Sequence, residues 1–411
     1  MKSNDKERLD APFEECHGIY GDEKWPKPYC VAKSEIPNRK DQNNMITASE
    51  YLDEPEVLEK KMEIIAELIK SSKCCIAYTG AGLSRAAGIG DYGSKAENSI
   101  TKDVKKLSSA FDAKPTYSHH VLAKLEEIGY LKYYVQQNHD GLPQKAGFPQ
   151  EKINEIHGAW YDPSNPVVQF KESLRTDLFN WMTDIEERAD FCLCLGTSLS
   201  GMNADRCALS PAERFWTGRM GNGTVMINLQ RTKIDPMCTI RVWSKIDEAF
   251  KILAKKLNID MTKLRSAPKF EQKQDLFFIP YDENGKFLGK KTTKLMKLDL
   301  SNGAKVKIVN QGSSVKNVVG TILRKSEDSF TWTKPGKDGG QSSNYALGNW
   351  MIDAGVRGAL DTFPYANEKP SFVNMKFEYK EVKKEKEVLD YEEELIKEIE
   401  RKSLLELSDN K

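Results

Sequence analysis

Between residues 53 and 257, short apolar runs alternate with longer stretches in which apolar positions recur every three or four residues. The short runs fall at 74–78, 131–135, 191–195 and 224–227, each of strand length and each followed by a polar block. A helix is predicted from Asp53, with Pro55 near its first turn and Leu58, Met62, Ile65 and Ile69 at helical spacing. A second amphipathic helix is predicted over 115–129, with Val121, Leu122, Leu125 and Ile128 turned inward and Gly129 as its stop. Strands alternating with helices predict an α/β fold on a Rossmann-like parallel sheet, where ligands bind beyond the carboxyl ends of the strands.

The pattern changes at about Lys269. Short β-leaning runs at 276–279, 305–309, 318–323, 330–332 and 372–379 alternate with turn-rich pieces such as Glu283-Asn284-Gly285 and 336–340. This predicts a C-terminal β-rich accessory domain over 268–380, in which Trp332 and Trp350 serve either as core or as a binding surface. Residues 381–411 are densely charged, with Val388, Tyr391, Leu395 and Ile399 on one helical face. A docked or self-associating helix and a solvated charged tail both account for them. At the other end, residues 1–50 are polar, carry Pro12, Pro26, Pro28 and Pro37 and include the run from Asp41 to Asn44. They read as an extension that wraps or stays mobile. The expected organisation is therefore an extension (1–50), an α/β domain (51–260), a β-rich domain (268–380) and a charged helical tail (381–411).

Composition narrows the picture. The chain has 411 residues, and its 62 Lys+Arg against 61 Asp+Glu leave a formal charge of +1, so nothing global points to nucleic acid or to an acidic membrane. No apolar run approaches the roughly 18 residues of a membrane span, and the N-terminus MKSNDKERLD has no signal-type segment. The expectation is a soluble intracellular protein, in cytoplasm or nucleus. Cys16, Cys30, Cys74, Cys75, Cys192, Cys194, Cys207 and Cys238 follow no even framework and read as free thiols in a reducing compartment. No Cys-x-x-Cys occurs, and the Cys16-His17 and Cys30 spacing matches no common zinc pattern.

The candidate chemistry begins at 74–93, CCIAYTGAGLSRAAGIGDYG, where a strand runs into a turn through Thr79, Gly80, Ala81 and Gly82 before a stretch from Leu83 to Ala87 that can be helical. Bare Gly80 and Gly82 let backbone N–H groups approach a pyrophosphate, and the helix start adds a favourable partial charge. An ordinary tight turn also produces Gly-x-Gly. Downstream stand QNHDG at 137–141, EIHG at 155–158, PVVQF at 166–170, LGTSLS at 195–200 and INLQ at 227–230.

In this order and spacing the set resembles the sirtuin family of NAD-dependent protein deacylases, over about residues 55–257. The resemblance implies a sirtuin-type sheet with NAD as cofactor and an acyl-lysine protein as substrate. It makes His157 the base that activates a ribose hydroxyl, a task suited to imidazole. Asn138 would hold the ribose and its ordered water, and Asp140 would grip the nicotinamide amide. In the glycine loop it places Gly80, Ala81, Gly82 and Ser84 against the cofactor, followed by Asp91, Tyr92 and Gln137. Gly196, Thr197 and Ser198 would meet phosphates or the adenine-side ribose, with Asn228 and Gln230 doing similar work at the next strand end. Val168 and Phe170 match the segment that pairs with the substrate peptide as an added strand, and an ordinary core strand is the competing account. His119 matches a histidine common in the family, although packing or a helix start accounts for it and His120 as well.

The chain departs from the family pattern in several places. Gly88-Ile89-Gly90-Asp91-Tyr92-Gly93 stands where Gly-Ile-Pro-Asp-Phe-Arg is usual, which removes a cation near the diphosphate. His139 replaces a branched apolar residue, Pro143 replaces a histidine, and Lys171 stands where a glycine permits close peptide approach. The family's four-cysteine zinc module between the catalytic histidine and the peptide strand has no counterpart, since only 158–165 separates His157 from Pro166. No structural zinc and a reduced small domain are therefore expected. Three functions follow from this reading. The first is NAD-dependent protein-lysine deacylation; the second is NAD hydrolysis or ADP-ribosyl transfer using His157, Asn138 and Asp140; the third is a non-catalytic NAD-binding module.

Overall fold

The computed structural model describes residues 7–38, 46–102, 107–169, 172–199, 203–219, 221–336 and 341–379. The expected tail helix, Phe170, Lys171 and the run at 41–44 lie outside the described residues. The N-terminal segment forms α1 (Phe13–His17), β1 (Tyr29–Ala32) and β2 (Glu50–Leu52), the two strands pairing antiparallel. There follow α2 (Pro55–Ser71), β3 (Cys75–Thr79), α3 (Tyr117–Glu127), β4 (Leu131–Gln136), α4 (Leu142–Lys145) and β5 (Ile153–Glu155). Next come α5 (Thr176–Arg188), β6 (Phe191–Leu195), α6 (Arg206–Trp216), β7 (Gly223–Ile227), β8 (Ile240–Val242) and α7 (Ile246–Lys256). Strands β3 to β8 form one parallel sheet in the order β5-β4-β3-β6-β7-β8.

The continuous apolar runs are explained by burial on both faces of that sheet. Successive side chains alternate sides. Ala77, Leu193 and Val225 enter one core with Met62 and Ile65 of α2, Val121 of α3 and Phe250 of α7. Ile76, Cys192 and Met226 enter the other with Met182 and Ile185 of α5 and Cys207 of α6. The chain winds outward from β3 through β4 to β5, then returns to the other side of β3 for β6, β7 and β8. The loops after β3 and β6 therefore part at a topological switch point, where open α/β sheets bind ligands. One helical expectation fails in detail. Ile128 is 45% exposed, because α3 ends at Glu127 and Ile128 already sits in the cap that leads into Gly129.

The polar extension wraps the β8 edge of the sheet. Ile19 and Tyr20 N–H donate to Cys238 and Thr239 carbonyls, and Trp243 Nε1 donates to the Cys16 carbonyl at 2.7 Å. His17 is buried there, and desolvation pulls its pKa down to about 3. Beneath this edge Lys61 Nζ meets Asp53 Oδ1 at 2.7 Å with both side chains fully buried, and Asp53 Oδ2 accepts the Trp243 N–H.

The C-terminal region builds β9 (Leu276–Ile279), β10 (Lys294–Asp299), β11 (Lys305–Ile308), β12 (Val319–Lys325), β13 (Ser329–Lys334), β14 (Ser343–Gly348), α8 (Asn349–Arg357), β15 (Tyr365–Asn367) and β16 (Ser371–Asn374). These strands form antiparallel sheets in the orders β16-β10-β9 and β14-β13-β12-β11-β15. Strands β10, β14 and β15 and helix α8 are absent from the sequence reading. Trp332 and Trp350 are core residues, 1% and 3% exposed, and Trp332 Nε1 donates to the Val306 carbonyl. The same core takes in Tyr161 from the parallel-sheet unit.

Removing one partner of a buried ion pair strands the other charge. Lys61→Met is expected to lower unfolding stability by about 3–5 kcal/mol, and the double variant Asp53→Asn/Lys61→Met to recover most of that loss. Urea denaturation of the three proteins checks this, and a single-variant loss below about 1 kcal/mol would contradict it.

Candidate active site

The loops after β3 and β6 interlock. Gly80 N–H donates to the Leu195 carbonyl at 3.0 Å and Gly82 N–H to the Gly196 carbonyl at 2.8 Å. A Cβ at Gly82 would lie 2.8 Å from Gly196 Cα, one at Gly80 would lie 2.8 Å from Thr197 Cβ, and Gly196 has φ +59°. The glycines thus permit backbone-to-backbone contact between two loops. Their own N–H groups are spent on protein carbonyls, which differs from the sequence expectation that they face a pyrophosphate. The segment that follows is a short 3-10 helix, Ala81–Ala87, rather than a full α-helix.

Ser84 on that turn binds the QNHDG block. Its hydroxyl donates to Asp140 Oδ2 at 2.6 Å and accepts from Asn138 Nδ2 at 3.1 Å, while Asn138 Nδ2 also reaches the Gly80 carbonyl at 3.0 Å. Asp140 is 3% exposed, and its other oxygen accepts the Leu142 N–H. Burial raises its pKa against the lowering effect of those hydrogen bonds. Gln137 Nε2 donates to Thr197 Oγ1 at 2.9 Å, and Asn228 Nδ2 donates to the Thr197 carbonyl at 3.3 Å. Gln230 reaches the Gly93 carbonyl at 2.7 Å and the Ala48 carbonyl at 3.4 Å.

Two adjoining cavities of about 290 and 690 Å³ open on this scaffold. They share a wall of Ala81, Arg85, Asp91, Tyr92 and Gln137. The first is completed by Gly82, Gly196, Thr197, Ser198, Asn228 and Gln230 among others, and the second by Ser84, Asn138, His139, Asp140 and Trp160 among others. Asp91 shapes the wall by accepting from the Gly93 and Ser94 N–H groups, and Tyr92 stands 87% exposed at the mouth. His157 lies on the turn just past β5, half-buried, and lines neither of these two cavities. Val168 is in irregular backbone and donates its N–H to the His157 carbonyl at 3.0 Å. His119 caps α3 through Thr116, and burial pulls its pKa down to about 3.

Sequence reasoning missed three contributors. Arg85 lines both cavities, with its guanidinium near Asp91 at 3.3 Å and on the Thr101 carbonyl, so a cation is present despite the one lost after Tyr92. A lone arginine inside the glycine loop was the available signal. Glu50, 1% exposed on β2, lines the first cavity and holds Ser99 Oγ and the Ile100 N–H at 2.6 and 3.0 Å. His139 bridges two segments. Its Nδ1 is 2.9 Å from the Gly158 carbonyl, which can only accept, so the proton sits on Nδ1, and its own carbonyl accepts the Trp160 N–H.

Two residues before His157, Glu155 is buried among Gln136, Gln144 and Gln150, and desolvation lifts its pKa to about 8. A carboxyl raised in the folded state stabilises the fold fully below its unfolded pKa and loses that contribution as pH rises toward 8. Glu155→Gln is therefore expected to gain on the native chain by up to about 1.4 kcal/mol per pH unit between roughly pH 5 and 8. Denaturant midpoints of both proteins across that range check this, and parallel pH profiles would contradict it.

A sequence model of the Sir2 family matches residues 95–164. "NAD-dependent protein deacetylase SRT1" of Arabidopsis thaliana is 29% identical over 252 residues, 51% of this chain and 52% of that protein. "NAD-dependent protein deacetylase sirtuin-7" of Homo sapiens is 27% identical over 278 residues, 56% of this chain and 66% of its own length. The chain spans about half the length of SRT1. A solved structure described as "Sir2-p53 peptide-NAD+" is 23% identical, covers 48% of this chain and 99% of that one, and superposes with a TM-score of 0.41. The chain is thus similar to the Sir2 family over residues 95–164 and, over about half of its length, to proteins named NAD-dependent protein deacetylases.

Proposed function

We propose that the chain is an NAD-dependent protein-lysine deacylase that releases nicotinamide and transfers the acyl group to ADP-ribose. The observation that carries this reading is the Asn138–Ser84–Asp140 cluster, which ties the glycine loop to the QNHDG block beside the shared cavity wall. The donor set fits the cofactor. Thr197, Ser198 and Asn228 offer hydroxyls and an amide to ribose and phosphate oxygens, Arg85 offers a cation for a diphosphate, and Glu50 offers an acceptor for hydroxyls. NAD, when bound, supplies a ribosyl carbon from which nicotinamide departs.

The chain's own groups divide the remaining work. Asp140, held by Ser84 and the Leu142 N–H in a desolvated position, grips the leaving amide, a contact whose value lies in the transition state. Asn138, fixed by Ser84 and the Gly80 carbonyl, orients the ribose. His157 takes the proton of a ribose hydroxyl, and the segment at Val168 receives the acyl-lysine peptide. The interval 158–165 offers no cysteine and so supplies no ligand for a four-cysteine zinc site. Free thiols at all eight cysteines support an intracellular setting, in cytoplasm or nucleus.

One observation favours a second reading, NAD hydrolysis or ADP-ribosyl transfer to another acceptor. Asn138 and Asp140 line the larger cavity while His157 does not. Mass spectrometry of NAD incubated with the purified chain, with and without an acetyl-lysine peptide, separates the two. Deacylation requires nicotinamide release that depends on peptide and falls by roughly 100-fold or more in His157→Ala. Release of nicotinamide and free ADP-ribose without peptide would overturn the deacylase reading in favour of the second.

A further inference from the structure

We infer that the C-terminal sheets brace the segment carrying His157, doing by protein packing what the zinc module is expected to do in relatives. This rests on the active-site reading above. The interval 158–165 contains one carboxylate, Asp162, and it is already engaged. The Tyr365 hydroxyl on β15 donates to Asp162 Oδ1, and the same oxygen accepts from the Ser164 hydroxyl at 2.7 Å and the Ser164 N–H at 2.9 Å. The Ser164 N–H also lies 3.1 Å from the Tyr365 oxygen. Desolvation and the neighbouring Asp162 charge raise the Tyr365 pKa well above its ordinary value, so this phenol stays a donor across the working pH range.

The neighbouring contacts point the same way. Gly348 N–H at the end of β14 donates to the Tyr161 carbonyl at 2.9 Å, and the Tyr161 and Trp350 rings lie 5.0 Å apart. A Cβ at Gly141, immediately after Asp140, would meet both of those rings at 2.9 and 3.1 Å. The C-terminal region thereby lies against the QNHDG turn through Trp350 of α8 and against the post-His157 segment through β14 and β15. Inside the segment, Ala159 N–H donates to the Asn165 carbonyl and Asn165 Nδ2 to the Glu155 carbonyl, which closes a tight loop on either side of His157. His139 then ties Gly158 to the cavity wall. Hydrogen bonds thus link Tyr365 through Asp162 to a segment that closes onto Glu155, two residues before His157, and a displacement of even about 1 Å in a reacting group costs rate steeply. Tyr365 is thus a positioning residue.

Tyr365→Phe in the full chain tests this by two independent readouts. Amide exchange at 158–165 is expected to quicken roughly tenfold while β3 and β6 amides keep their native protection. The kcat for peptide-dependent nicotinamide release is expected to fall roughly tenfold or more with KM for NAD within about twofold. Arg357→Ala removes the bidentate contact with Glu151 elsewhere on the same interface and is expected to leave exchange at 158–165 unchanged. If Tyr365→Phe does not fold, Asp162→Ala breaks the same bond from the other side and is read at the 158–165 amides other than Ser164, whose own N–H loses its acceptor. Native exchange rates at 158–165 in a folded variant overturn the brace. That comparison needs no turnover, so a wild-type chain that releases no nicotinamide sinks the deacylase reading and leaves the brace to be decided by exchange.

Discussion

The site depends on two loops lying closer together than side chains allow. Gly80 and Gly82 meet Gly196 and Thr197 backbone to backbone across the switch point between β3 and β6, and hydrogen bonds from both glycine amides hold them there. This contact places Ser84 where its hydroxyl can reach Asn138 and Asp140, which in turn fixes the wall shared by the cavities. A methyl group at Gly82 would push the loops apart and detach the one block from the other. The parallel sheet supplies rigidity for such a close approach, since β3 and β6 are buried on both faces and cannot shift without opening two cores.

The central fold was legible because parallel strands buried on both faces leave continuous apolar runs that few other structures produce. The blocks at strand ends were legible, and all but the one holding His157 and the one holding Val168 line the two cavities. Their geometry was not, because proximity of Gly82 to Gly196 is a property of strand order, and strand order leaves no local trace. Glu50 was hidden for a related reason: its partners Ser99 and Ile100 lie far along the chain, and a single glutamate in a short polar-to-apolar transition carries no signal. The reading of residues 1–50 as an extension that wraps or stays mobile left out the place of Glu50 in the wall of the smaller cavity.

In the C-terminal region the sequence pattern caught strands with clean alternation and lost the rest. β10 is interrupted by lysines whose stems cover aromatic rings, as Lys294 does over Phe372, so its polar letters disguise a core strand. β15 is only three residues long, and β14 opens with three exposed residues, Ser343, Asn344 and Tyr345, so neither leaves a run of strand length in the sequence. Trp160 and Tyr161 read as an aromatic pair in a polar loop until the second core is seen to take up both.

The bond between Asp162 and Tyr365 joins residues 203 positions apart in the chain. A polypeptide emerging from the ribosome folds its N-terminal elements first, at a rate of about 5–20 residues per second. The parallel sheet can therefore assemble while β15 is still unmade, with the segment after His157 in place but unheld. Closure of that segment onto β15 becomes one of the last contacts the nascent chain acquires, and a product truncated before residue 365 would carry the walls of both cavities without it.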